Sequence, residues 1–215
     1  DKKAATFLSE LIWREFFMQI LFHFPQVVTN NFRAKYNGIA WRNDEDEFEK
    51  WCKGETGYPM VDAGMRQLNE TGYMHNRVRM VVGSFLVKNL LIHWHQGEAW
   101  FWDCLVDADL ASNSAGWQWI AGCGADAAPF FRIFNPITQS EKFDKQGNYI
   151  RRYVPELATM PDKYIHAPWL APAEVLTSAG VNIGINYPVP IVDIKESRER
   201  ALAAFAVTKI QTAET

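Results

Sequence analysis

The segment Asp107–Trp119 places two carboxylates, an amide, a glycine and two indoles within thirteen residues. If the part from Asp109 onward is helical, then Asp109, Asn113 and Trp117 follow one another at four-residue steps and share one face. A flat ligand with polar edges could lie on that face. Trp119 stands two residues after Trp117 and must point elsewhere, so this one segment could serve two pockets.

Near the start of the chain, a carboxylate and two aromatic side chains share a helical face. Glu10, Trp13 and Phe17 are separated by three and four residues. Such a face offers a hydrogen-bond acceptor beside a stacking plane. The same spacing also fits an interfacial tryptophan next to a solvated glutamate, and spacing alone does not decide between these two interpretations.

A third polar group opens a predicted long helix at 73–91. Asn76, Arg79 and Met80 lie on one side of this helix, and Arg77 lies close to them in sequence. Two arginines near a helix start oppose the helix macrodipole, which favours anions there. We therefore expect an acid, a phosphate or both to offset these two charges.

Composition excludes several classes of protein. The 215 residues suffice for one substantial core, so we expect one domain. A net charge of −3 excludes a globally basic nucleic-acid binder and leaves any DNA contact to local arginines. Three widely spaced cysteines without a C-x-x-C motif, and the lack of H-E-x-x-H, predict neither a disulfide framework nor a metal site.

The many aromatic residues and the apolar runs can be explained by core packing as well as by a function. Nine Trp and fourteen Phe fit an aromatic core, or stacking and redox-active side chains. The longest apolar run, 80–92, is broken by Lys88 and is too short to span a bilayer. The chain opens with no signal peptide, so we expect a cytoplasmic protein without a membrane partner.

The order of helix signals predicts an all-α domain with long loops. The motif G-x-G-x-x-A at 122–127 has no strand before it, so a sharp loop is favoured over a dinucleotide site. The stretch 139–187 is rich in Pro, Gly and polar residues and is predicted to be irregular. Pro25 ends a predicted helix at 9–24, and the acidic run 43–50 caps a short predicted helix that ends at Gly54. The other predicted helices are 61–68, 73–91, the stretch around 94–102, the segment from 109 onward, and 194–209.

Several blocks of the chain, taken together, resemble the flavin-binding domain of DNA photolyases. They occur in order from Ser9 to Phe205 and cover most of the chain. The resemblance implies an all-helical domain that holds FAD in a folded conformation, with reduced flavin passing an electron under light to a cyclobutane pyrimidine dimer. The blocks are Glu10-Leu-Ile-Trp-Arg-Glu-Phe16, Thr56-Gly-Tyr-Pro-Met-Val-Asp-Ala63, Met74-His-Asn-Arg-Val-Arg-Met80, Asp107-Ala-Asp, Asn113-Ser-Ala-Gly-Trp-Gln-Trp119, Arg132-Ile-Phe-Asn-Pro136 and Tyr153-Val-Pro-Glu156.

The resemblance also implies roles for particular residues. Asn113 would sit beside the flavin N5, and Arg79 would pair with Asp107. The remaining flavin contacts would be Ala108, Asp109 and Phe7. Three indoles would form a row from the surface to the flavin and carry electrons to it: Trp41, Trp94 and Trp117. Together with Glu10 and Asn113, they would serve catalysis. The side chains expected to face damaged DNA are Glu10, Trp13, Arg14, Asn76, Arg77, Met80, Trp119 and Arg132.

Subtype and partners follow from the same resemblance. Asn76, Met80, Asn113 and Trp119 point to a class I dimer photolyase, with DNA containing pyrimidine dimers as the partner of a monomer that needs no metal. Residues 1–215 would be the C-terminal part of the FAD-binding domain, without the antenna domain, its chromophore and the segment that holds the flavin phosphates. The alternatives are a cryptochrome-type flavin photoreceptor and a helical binding module without cofactor or activity of its own.

Overall fold

The computed structural model describes residues 2–210, which form ten α-helices joined by loops and short 3-10 turns. The described residues contain no β-strand, and Ile183 and Tyr187 form an isolated bridge. The predicted all-α class is confirmed. The helices are α1 Lys2–His23, α2 Glu45–Lys53, α3 Pro59–Thr71, α4 Asn76–Ser84, α5 Trp94–Cys104, α6 Leu110–Ala121, α7 Pro136–Phe143, α8 Asn148–Tyr153, α9 Ala173–Ser178 and α10 Ile194–Ile210.

Helix α1 begins earlier than predicted, and Pro25 follows its end as expected. It packs against α6 and the following 3-10 turn, but much of its apolar surface is open to solvent. Phe7, Ile12 and Phe22 expose 63%, 70% and 79% of their surface. The apolar periodicity therefore predicted the helix correctly, although among the described residues it does not mark a buried face.

Side-chain caps set the bounds of α2. The Asp44 carboxylate accepts a hydrogen bond from the Glu47 backbone N–H at 2.9 Å, which satisfies one of the free donors in the first turn. Gly54 ends the helix in the left-handed region with φ +68°, where a side chain would be strained. The acidic run was correctly predicted to cap a short helix ending at Gly54.

The long helix predicted at 73–91 is interrupted. His75 caps α4 by accepting the Arg77 backbone N–H, and α4 ends at Ser84. A π-helix follows at Phe85–Asn89, closed by a hydrogen bond from Leu90 N–H to Phe85 O at 3.0 Å. Apolar periodicity cannot distinguish this wider turn from an α-turn, because both bury the same run of side chains.

Helix α6 is central to the packing. It contacts α1, α4 and α5, and it ends at Gly122, where φ is +86°. Past Gly122 the chain folds back, with the Cys123 and Gly124 N–H groups donating to Gln118 O, so the 122–127 motif is a sharp loop as predicted. This loop and α1 enclose one end of α6.

The stretch predicted to be irregular contains α7, α8 and α9, so that prediction is only partly correct. These helices are six to eight residues long, and α7 begins with an Asn135 cap on Ile137 and Thr138. A buried Asp62 on α3 accepts a hydrogen bond from Tyr187 at 2.8 Å and so anchors the end of this stretch. Burial raises the pKa of the Asp62 carboxyl group.

Neither a long apolar helix nor a cluster of metal-ligating side chains occurs within residues 2–210. No helix there is long and apolar enough to cross a membrane. Within the same range, no three His, Cys, Asp or Glu side chains are grouped so that they could hold a metal ion. The three cysteines are free thiols.

Candidate cofactor and substrate site

Asp109 fixes the start of α6 and with it the predicted cofactor face. Its carboxylate accepts the Ser112 backbone N–H at 2.8 Å, and its carbonyl oxygen accepts the Asn113 N–H at 2.8 Å. Asn113 and Trp117 then stand one turn apart, with 9% and 2% of their surfaces exposed. The predicted face is therefore present and largely buried.

Arg79 and Asp107 form the expected ion pair. One guanidinium nitrogen of Arg79 lies 3.0 and 2.9 Å from the two carboxylate oxygens of Asp107. The Arg79 Nε also donates to Met74 O at 2.6 Å, which fixes the side chain from a second direction. The pair accounts for one of the two arginines at the start of α4 and joins this helix to the segment before α6.

Glu98, on α5, holds the amide of Asn113. The Asn113 Nδ2 donates to the backbone oxygen of Glu98 at 3.0 Å and to its Oε1 at 3.1 Å. Burial raises the pKa of the Glu98 carboxyl group, against the lowering effect of hydrogen bonds from Asn113 and Ser114. Because both contacts use the amide nitrogen, the Asn113 oxygen is left for other partners.

A cavity of about 770 Å³ connects the predicted residues from several helices. Gly116 lines it, and a Cβ placed on Gly116 would meet no atom within 4 Å, so a flat ring has room to approach the α6 backbone. The predicted site residues that line the cavity are Glu10, Trp13, Arg14, Asn76, Arg79, Met80, Asp107, Ala108, Asp109, Asn113, Trp117 and Trp119.

The α1 side of the cavity offers an aromatic surface. The ring of Trp13 stacks on that of Phe17, with centroids 5.7 Å apart and planes at 27°, and meets Phe16 edge-on. Trp13 exposes 43% of its surface, and Glu10 is also exposed. The acceptor and the stacking plane predicted from the Glu10 spacing therefore lie at one opening.

Besides Trp41 and Trp94, three predicted residues do not line this cavity. Phe7 shares the helical face of Glu10 and Trp13 but lies about one turn before Glu10 on α1. It does not line the cavity, and 63% of its surface is exposed. Arg77 is exposed, with its guanidinium carbon 4.4 Å from the centre of the Phe143 ring. Arg132 is exposed on the loop before α7. The two arginines suit a contact outside the cavity, whereas the structure does not bring Phe7 to the cofactor face.

The three predicted indoles differ in how far they are exposed. Trp117 lines the cavity, Trp94 is fully buried and Trp41 is half-buried. The Trp117 ring rests on Gly97, one turn after Trp94 on α5, where an added Cβ would come within 2.2 Å of the ring. A glycine at this position is therefore required for the close approach of α5 and α6.

Several aromatic neighbours of these indoles were not predicted, among them His93 and Trp51. The His93 ring contacts Trp41 at 5.1 Å and Trp94 at 5.6 Å, so an imidazole bridges these two indoles. Burial lowers the pKa of His93 to about 4. Trp51 on α2 meets Trp117 edge-on at 6.1 Å. His93 stands next to Trp94 in the sequence, but no local pattern predicts that its ring also contacts Trp41. The contact between Trp51 and Trp117 likewise joins distant segments.

Comparison with known proteins agrees with this geometry. The family described as the FAD binding domain of DNA photolyase matches residues 7–207. The deoxyribodipyrimidine photo-lyase of Agrobacterium fabrum is 59% identical over 208 residues, which are 97% of this chain and 43% of that protein. The chain thus spans less than half the length of this curated relative.

Solved structures show the same fold. A bacterial class III photolyase from Agrobacterium tumefaciens has a TM-score of 0.95 and 57% identity, over 97% of this chain and 43% of that chain. A cryptochrome from Synechocystis has a TM-score of 0.89 and 41% identity, over 95% of this chain and 42% of that chain. The class I subtype expected above receives no support, because the structure at 57% identity is described as class III.

The family match covers far more than half of the chain, and the similarity to solved relatives extends over its whole helical fold. Together these findings show that the chain belongs to the photolyase/cryptochrome family and corresponds to its FAD-binding domain.

Proposed function

We propose that this chain, as part of a longer polypeptide, repairs cyclobutane pyrimidine dimers in DNA with light, by electron transfer from reduced FAD. One observation carries the proposal: a single cavity joins the capped face of α6 to the indole-lined opening at α1. A flavin on the first face and a flipped-out lesion at the second would be neighbours, which direct electron transfer requires.

The cofactor side is built from groups that hold one another in place. Arg79 fixes Asp107, the Ser112 N–H fixes the Asp109 carboxylate, and Glu98 fixes the amide of Asn113. Ala108 completes the wall. When bound, FAD supplies light absorption and the donated electron, while these side chains bind its polar edges and exclude water from one face.

The substrate side offers stacking planes and hydrogen-bonding groups. Trp13 and Trp119 line the cavity and can each accept a base against an indole face. Glu10 lies one turn before Trp13, within reach of the edge of a base stacked on that indole. Asn76 and Met80 complete this side of the cavity.

Contact with the DNA backbone rests on local positive charge. Arg14 lines the cavity, whereas Arg77 and Arg132 are exposed beyond it. These arginines suit phosphate contacts on either side of an extruded lesion, and the net charge of −3 makes nonspecific binding by the whole surface weak.

The indole row is proposed to reload the flavin with electrons. Trp117 lines the cavity, Trp94 is fully buried and Trp41 is half-buried. Indole is oxidised more easily than most other core side chains, so electrons can pass inward by hops between neighbouring rings without a metal.

The central experiment is illumination of the full-length parent, loaded with FAD and chemically reduced, with single-stranded DNA that contains a thymine dimer. We expect thymine absorbance to return in the light and not in the dark. A protein that binds flavin and dimer DNA but restores no absorbance would contradict the proposed repair.

The main alternative is a cryptochrome-type photoreceptor, which the similarity to the Synechocystis cryptochrome favours. It would keep the flavin and the indole row and lack repair. The experiment above separates the two functions, because a photoreceptor would restore no thymine absorbance, although its flavin would still be photoreduced. Retention of yellow FAD by the purified 215-residue chain would separately exclude a fragment that lacks cofactor.

The subclass and the placement in the polypeptide are part of the proposal. The 57% identity to a class III photolyase favours class III over the class I type expected from sequence. The chain covers 43% of the photo-lyase of Agrobacterium fabrum. We further propose that residues 1–215 are the C-terminal part of the domain, with the antenna and phosphate-holding segments elsewhere in the parent. Its proposed action as a monomer in the cytoplasm rests on sequence expectations alone.

A further inference from the structure

The middle indole of the row has a specific hydrogen-bond partner. Trp94 is fully buried, and its Nε1 donates to the Oδ1 of Asn31 at 2.8 Å. Asn31 lies 63 residues earlier in the chain, in the loop between α1 and α2. The bond therefore joins two distant segments at a ring that electrons are proposed to cross.

The orientation of the Asn31 amide is fixed by a second amide. Its Nδ2 donates to the Oδ1 of Asn37 at 2.8 Å, so its oxygen is the atom left to face the indole. Asn31 is half-buried and Asn37 is exposed. The indole N–H of Trp94 is thus directed toward the surface through two neutral amides.

Two histidines also pack against Trp94, but through their ring contacts. The His95 centroid lies 3.8 Å from that of Trp94 and the His93 centroid 5.6 Å away. The Nδ1 of His93 accepts the backbone N–H of His95 at 3.2 Å and is already used. Burial lowers the pKa of His93 to about 4 and also lowers that of His95, so both rings are neutral near pH 7.

The partner matters because an indole that has lost an electron becomes a much stronger acid at its N–H group. A carboxylate at hydrogen-bond distance can take that proton, whereas an amide oxygen is a far weaker base and leaves it on nitrogen. A hydrogen bond that keeps the proton shared still stabilises the positive ring, because bonds to charged groups are stronger than neutral ones.

With FAD bound, its photoexcited oxidised form would supply the oxidising power. Trp117 would give up one electron and would then take one from Trp94. If Trp94 keeps its N–H proton, one electron from Trp41 restores it and leaves the positive charge on Trp41. If Trp94 loses the proton instead, it becomes a neutral radical, and restoring it requires an electron and a proton together.

We propose that Asn31 is a positioning residue for this electron row: its amide oxygen orients Trp94 and leaves the indole proton in place, so that the positive charge moves on to Trp41. The inference rests on the proposed indole row. Asn31 lies outside the row, and its amide oxygen determines whether Trp94 keeps its indole proton.

The test uses the FAD-loaded full-length parent with Trp41→Phe, in which Trp94 is the last indole of the row, followed by transient absorption after a light flash. With Asn31 present we expect the spectrum of a tryptophan radical cation, decaying at the same rate in H₂O and D₂O. With Asn31→Asp added, we expect rapid conversion to the neutral radical, and a several-fold slower conversion in D₂O.

Asn37→Asp is the matched control, since it adds the same charge one amide farther out and still accepts from Asn31. It should leave the radical cation unchanged. Asn31→Leu removes the acceptor without adding a base, and should lower the yield of Trp41 oxidation several-fold in the otherwise intact row without forming the neutral Trp94 radical.

A measurement in the dark checks the hydrogen bond itself. The indole N–H of Trp94 should exchange slowly with D₂O by NMR in the parent, and several-fold faster in Asn31→Leu. Rapid exchange in the parent would overturn the proposed contact, whatever the photochemistry shows.

Failure of this inference can be told apart from failure of the proposed function. If Trp117→Phe leaves photoreduction intact, the row is wrong and the role of Asn31 falls with it. If Trp117→Phe blocks photoreduction while Asn31→Asp, folded normally by circular dichroism, shows the same radical cation as the parent, only the role of Asn31 is overturned. If Asn31→Asp does not fold, fast proton loss from Trp94 in the Trp41→Phe protein would still overturn it.

Discussion

The two walls of the cavity are built in opposite ways. On the α6 wall, Asp109 caps the helix, Glu98 holds Asn113, and Trp117 is 2% exposed. On the α1 wall, Trp13 is 43% exposed and is held by aromatic contacts with its own helix. The difference teaches that the proposed cofactor wall is preorganised by several helices, whereas the side chains of the proposed substrate wall are free to adapt to a bound lesion.

The largest expected effect distinguishes Trp117 from Trp119, which both lie on α6. Trp117→Phe should abolish photoreduction of bound oxidised flavin, because it removes the cavity-lining indole of the proposed row. Repair by chemically reduced flavin should survive. Trp119→Phe should keep photoreduction and weaken lesion binding instead. Unchanged photoreduction in Trp117→Phe, followed by flavin absorbance under light, would show that the row is only core packing.

The walls should also differ in what they contribute to stability. Trp117→Ala should lower the free energy of unfolding of the full-length protein by about 3–5 kcal/mol, the range for removing a buried aromatic side chain. Trp13→Ala should lower it by about 1 kcal/mol or less, because the ring is partly solvated. Urea unfolding of both variants measures the contrast, and equal losses would refute it.

Binding to DNA should separate the cavity from the exposed arginines. Trp119→Ala should weaken binding to dimer-containing DNA by roughly 1–3 kcal/mol and hardly affect undamaged DNA. Arg77→Ala should weaken both alike and reduce the salt slope by about 0.7 to 0.9, as for one lost phosphate contact. Titrations of both DNAs at several salt concentrations distinguish these outcomes, and an equal loss on both for Trp119→Ala would remove it from the lesion pocket.

Glu10 should affect the reaction more than binding. Glu10→Ala, in the FAD-loaded parent, should lower the repair yield per absorbed photon several-fold, because a hydrogen bond to the base edge stabilises charge that develops after electron transfer. Flavin content should stay nearly unchanged and lesion affinity should fall only modestly. If the yield is unaltered when lesion saturates the site, Glu10 is only a solvent-exposed acid of α1.

The smallest expected effect is the pH dependence carried by Glu98 on the preorganised wall. Its pKa is raised in the folded state, so its favourable contribution is present below the ordinary value of 4.5 and is lost as pH rises through the raised pKa. The stability of Glu98→Gln relative to wild type should therefore increase from pH 4.5 upward. Melting temperatures across that range test this, with exposed Glu141→Gln as the control.

Sequence predicted those features that are determined locally. Asp44 and Gly54 bracket α2, and Asp109 and Gly122 bracket α6, because a cap and a left-handed glycine act within a few residues. The π-helix at Phe85–Asn89 was missed, since its apolar pattern also fits an α-helix. Helices α7 to α9 were missed because each is too short to show a clear period.

The site divides in the same way. Glu10, Trp13, Asn113 and Trp117 were found because helical spacing puts each set on one face, and family resemblance then identified the Arg79 pairing and the indole row. Glu98, His93 and Asn31 were missed as partners because each acts on a residue from another segment. Asn31 meets Trp94 across 63 residues, and no spacing rule covers such a contact.

Gly97 has a consequence beyond helix packing. Electron tunnelling weakens steeply with each added ångström between donor and acceptor, and here the Trp117 ring fills the space that a methyl group would occupy on α5. Because Gly97 has no side chain, the Trp117 ring lies directly against the α5 backbone. Under the proposed function, even a substitution at Gly97 that the fold tolerates by a small shift of α6 would slow the refilling of the flavin with electrons.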